Sequence, residues 1–96
     1  MLNPEVEHIN VDGPTLDAEG YLTVTATLAI RNWRHPDAVV KLRVEQAIQE
    51  RHGDAATVRE FRLGLENLRR SMEKEGFENV DLTPISEAIE QHKNAG

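Results

Sequence analysis

From Leu22 to Ile30 the chain alternates without a break. Leu22, Val24, Ala26, Leu28 and Ile30 fall on one side, and Thr23, Thr25 and Thr27 on the other. A period of two is that of a strand, and β-branched threonine suits a half-exposed sheet surface. Upstream, Ile9 and Val11 begin a shorter alternating arm that Asp12-Gly13-Pro14 interrupts. Between the two arms, "LDAEGY" offers a tight turn with Gly20 as the residue able to take positive φ. The pattern predicts an N-terminal β-hairpin over about residues 5–31.

Residues 38–45, "AVVKLRVE", carry two patterns at once. As a strand, Val40, Leu42 and Val44 share a face opposite Lys41, Arg43 and Glu45. As a helix, Val40, Val44, Ala47 and Ile48 form a stripe, and Lys41–Glu45 is an i,i+4 pair. His35-Pro36-Asp37 resembles a helix start, with proline in the first turn and an acid near the positive end of the dipole. Gly53 is a natural stop. The helix reading, about residues 37–52, is preferred here, although Val39 and Leu42 fall off its stripe.

The next segment is a helix by its spacing. Val58, Phe61, Leu65, Leu68 and Met72 recur at intervals of 3, 4, 3 and 4, a heptad-like seam. Asp54 is placed as N-cap, Glu66–Arg70 supports the exposed side, and Gly76 ends a helix of about residues 55–75. Gly64 costs on the order of 1 kcal/mol relative to alanine within a helix, which points to another backbone passing close by. After the loop "FENVDL", Thr83-Pro84 starts a short helix over about residues 84–93 with Leu82, Ile85 and Ile89 on one face. The expected fold class is α+β: one small domain spanning residues 1–96, its hairpin packed on two or three helices.

Charge changes the picture of what such a domain could meet. The 96 residues carry a net −6, unevenly spread. Residues 1–30 hold five acids and no Lys or Arg, residues 31–74 hold ten bases against seven acids, and residues 75–96 hold five acids and one lysine. An acidic surface repels nucleic acid at long range, though it leaves room for a local basic face. No stretch approaches the ~20 apolar residues of a membrane span, and the N-terminus lacks the pattern of a signal peptide. A cytoplasmic protein without membrane association is expected.

Candidate chemistry is sparse. The chain has no cysteine, so thiolate metal sites and a cysteine nucleophile are excluded. His8, His35, His52 and His92 show no metal-binding spacing on a helix. Asp12, Asp17 and Glu19 share a glycine-containing loop but lack the spacing of a calcium-binding loop. Ser71 and Ser86 have neither a glycine-flanked elbow nor an adjacent base. The expectation is no catalysis, no metal and no cofactor. Trp33, flanked by Arg31 and Arg34 in "RNWRHP", is the main candidate for a binding anchor, since Trp and Arg dominate such positions. Its other reading, a Trp closing the edge of a small core, is preferred.

Two functions follow. The first is a small acidic protein-interaction module of the adaptor, inhibitor or antitoxin kind, whose partner is another protein or a second copy, with the long helix as the dimer surface. The second comes from a resemblance: strand, helix, glycine turn and helix over residues 22–72 resemble the order of the ribbon-helix-helix DNA-binding family. That likeness implies a dimer with Thr23, Thr25 and Thr27 facing bases and the amides near Ala55 to Thr57 holding a phosphate. It also requires residues 38–45 to be helical.

Overall fold

Three strands and three helices follow one another in a computed structural model that describes residues 2–95, with side chains through residue 91. They are β1 (Glu5–Leu16), β2 (Tyr21–Arg31), β3 (Asp37–Glu45), α1 (Gln46–His52), α2 (Asp54–Lys74) and α3 (Thr83–Ala95). The strands form an antiparallel sheet in the order β1-β2-β3. The expected hairpin and α+β class are therefore present, with a third strand added.

That third strand corrects the helix expected over residues 37–52; only Gln46–His52 is helical. Three physical reasons favour strand. Val39, Val40 and Val44 are β-branched and lose rotamer freedom in a helix. As a strand the segment buries Val44 and half-buries Ala38, Val40 and Leu42 on one side, so Leu42 no longer falls off the apolar face. It also pairs with β2 from Tyr21↔Glu45 to Ala29↔Asp37 without a register shift. Pro36 is accommodated just before the strand, its carbonyl accepting the Ile30 N–H at 2.8 Å. The backbone leaves β2 through Asn32, at φ 61°.

The helices lie on one face of the sheet. The buried set joins Leu22, Val24, Ala26, Leu28 and Ile30 of β2 to Val58, Phe61, Leu65 and Met72 of α2, then to Leu82, Ile85 and Ile89 beside and within α3. The seam read from the sequence is thus the core, with Leu68 half-buried at its margin. α2 lies against β3 and α3 against β1, so the last helix closes over the first strand. Gly64 faces β3, and a Cβ there would lie 3.2 Å from Leu42 Cδ2. Its neighbour is thus a side chain, not the backbone that the sequence pointed to.

One helix start also differs from expectation, and another is held by an acid that precedes it. Asp54 is the first residue of α2 rather than its cap, and it accepts from Gln49 Nε2 at 2.9 Å. At α3 the Asp81 carboxylate accepts the Thr83 backbone N–H at 3.0 Å as well as the Thr83 hydroxyl. These bonds hold the Asp81 carboxyl below the usual carboxylate range.

Candidate functional site

Because the helices cover one face, the register fixes what the other face shows. Three rows cross it: Asn10–Thr27–Val39, Asp12–Thr25–Lys41 and Thr15–Thr23–Arg43. Thr23, Thr25 and Thr27 are therefore central, each flanked by a strand on both sides. In a ribbon-helix-helix dimer the reading strand pairs with a second copy, and β2 has no free edge for that. With residues 37–45 extended, the likeness to that family falls.

One end of this face is tied by Asp17. Its carboxylate accepts the backbone N–H groups of Glu19 at 2.9 Å and Tyr21 at 3.0 Å, and the Thr23 hydroxyl at 3.0 Å. The Arg43 guanidinium donates to it at 3.1 Å, also pairs with Glu19, and lies 4.2 Å above the centre of the Tyr21 ring. The Tyr21 N–H is the main cause that lowers the Asp17 carboxyl below its ordinary range, with Thr23, Glu19 and Arg43 adding to it. A carboxylate so fully used by its own hairpin has little left for a cation. Among the described residues no group of three His, Asp or Glu side chains is arranged to hold a metal ion. The side chain of His92 lies outside those residues.

The residues singled out in "RNWRHP" do not converge. Trp33 is half-buried and packs on Phe77 with ring centroids 5.0 Å apart, tilted at 53°. Arg34 lies 5.5 Å above the Trp33 ring. Arg31 is drawn away to Glu7 at 2.7 Å. The ring's remaining exposure lines a shallow groove with Leu2, Pro4, Arg34 and Glu75. Trp33 is thus partly buried against the core through Phe77 and also lines the groove.

Sequence reasoning missed the most distinctive surface, the outer edge of β3. The sheet has two outer edges of different quality. β1 carries register shifts at Val6/His8 and Asp12/Thr15, and Pro14 lies within the second, with no N–H to offer. β3 runs nine residues without a shift and carries Val39 at 64 % exposure. The signal in the sequence was the alternation of Val40 to Glu45, once taken as strand. The α2 seam is used within the chain as expected, and the large apolar side chain that α2 leaves over for the expected dimer is Leu63.

Comparison with known proteins finds no matching family model, no similar curated protein and no similar solved structure. No helix among the described residues is long and apolar enough to cross a membrane.

Proposed function

We propose that this chain is a protein-interaction module that acts without catalysis by offering the β3 edge to a strand of its partner. The observation that carries the reading is a regular, unpaired nine-residue edge with an exposed Val39 beside it. Unpaired N–H and C=O groups along such an edge are a template for added strands, and proteins ordinarily blunt them. Here β1 has that protection in its bulges and proline, while β3 has the charges of Asp37, Lys41, Arg43 and Glu45 and no bulge. Backbone pairing supplies affinity, and alternate side chains supply choice of partner. Adaptors, inhibitors and antitoxin-like proteins all fit that chemistry.

The test is affinity capture by the wild-type chain and by Val39→Asp, with and without nuclease, the fold of each checked by circular dichroism. A protein partner that resists nuclease and is lost with Val39→Asp supports the reading. Capture of nuclease-sensitive nucleic acid instead, or a partner held equally by a folded Val39→Asp, overturns it.

A further inference from the structure

Resting on that reading of the β3 edge, we infer that the strand it takes is β3 of a second copy, paired antiparallel about a twofold axis at Val40. The sequence of the edge is self-complementary in this register. Asp37 stands opposite Arg43 of the mate, Val39 opposite Lys41, Ala38 opposite Leu42, and Val40 opposite itself. Charges disfavour one neighbouring register, and although an axis at Val39 would set Asp37 against Lys41, only the axis at Val40 sets Asp37 opposite the Arg43 guanidinium. Moving the axis by one residue to Lys41 would set the two Lys41 side chains directly opposite each other and Asp37 against Glu45, both like-charge pairs that destabilise a sheet.

In the register centred on Val40, each Asp37 meets a guanidinium directly, with Lys41 of the mate on one diagonal and Glu45 moved from the directly opposite place to the other diagonal. Among the described residues Asp37 forms no ion pair within its own chain. Arg43 is already held by Asp17 and Glu19. Its fork has five N–H donors, so a third carboxylate can be accommodated, and the hairpin turn pre-sets its position.

The same pairing removes apolar surface on both faces. On the helix-free side the two Val39 side chains become diagonal neighbours. On the helix side the half-buried Val40 meets its own copy, and Ala38 meets Leu42. Residues 37–43 of each strand take part, about 23 Å of edge at strand rise. The product is a continuous six-stranded sheet with helices on one face, ended on both sides by the bulged β1.

The experiment is sedimentation velocity on the full chain over a range of concentrations, for wild type, Asp37→Arg and the double variant D37R/R43D. The wild type should dimerise. Asp37→Arg sets Arg against Arg twice and should weaken the dimer on the order of tenfold or more. The double variant restores both pairs and should recover it. Since Arg43 also ties the hairpin turn, an independent variant guards against loss of folding. Val40→Cys in this cysteine-free chain should oxidise to a covalent dimer, because directly opposed residues bring Cα atoms to about 4.5–5.5 Å, within disulfide reach. A wild type that stays monomeric, an Asp37→Arg dimer as tight as wild type, or a Val40→Cys chain that does not cross-link overturns the proposal. A monomer that still loses a foreign partner on Val39→Asp would remove the second copy and leave the docking edge standing.

Discussion

Leu65 and Gly64 are adjacent in the sequence and test two different contacts of α2. Leu65 is 7 % exposed, between the sheet and α3. Truncating Leu65→Ala should cost roughly 2–5 kcal/mol, as for a buried leucine that leaves a cavity, read as a lower denaturation midpoint in urea. A loss below about 0.5 kcal/mol would mean that the seam is not the core. At Gly64 two effects oppose each other. Alanine gains about 1 kcal/mol of helix propensity but meets Leu42 Cδ2 at 3.2 Å. Gly64→Ala should therefore stabilise more in a Leu42→Ala background than in the wild type; equal gains in a double-mutant cycle would show that the contact has no energetic weight. At this scale the sequence was readable wherever periodicity spoke. The seam's spacing named Val58, Phe61, Leu65 and Met72 correctly because a helix repeats its face over many turns. It could not name the neighbour of Gly64, since a glycine shows that space is short without showing what fills it.

The hairpin is the element with the most local determinants, and its turn glycine and its break at Asp12-Gly13-Pro14 were visible before the structure, whereas the tie made by Asp17 was not. Gly20, at φ 89°, turns the chain, and Asp12-Gly13-Pro14 breaks the pairing where predicted. Gly13 combines φ 103° with a Cβ position 2.5 Å from the Thr23 carbonyl oxygen, whereas a Cβ at Gly20 meets nothing within 4 Å. Gly13→Ala should thus lower the melting temperature more than Gly20→Ala; the reverse order would place the close approach elsewhere. The role of Asp17 predicts a pH dependence. Its carboxyl titrates lower in the folded chain than its ordinary 3.8, so its contribution is fully present above that value and is lost as the pH falls through the lower folded value. Asp17→Asn should flatten the loss of thermal stability between neutral and acid pH; an unchanged acid limb would contradict that. β3 was the element misread. A segment of nine residues fits both periods, and its proline and acid imitate a helix start. Pairing with β2, a tertiary effect, decided the matter.

At the scale of the whole molecule, charge and composition excluded more than they selected. They gave an acidic, cysteine-free domain, but the surface offered for recognition follows from topology. Only when β3 joins the sheet does the chain acquire a regular outer edge, so the candidate site stayed illegible for as long as residues 37–45 were read as helix. The same topology has a further consequence. β1 is the first strand to be made, yet the helix packed on it is the last. During synthesis the sheet can pair as soon as β3 has emerged, but Val6, Ile9 and Val11 remain uncovered until α3 follows. A nascent chain that has paired β3 but not yet folded α3 therefore presents a greasy, half-finished sheet to its surroundings. Chaperone capture or premature association at that stage would involve the face that α3 later hides, and not the edge that the finished protein shows.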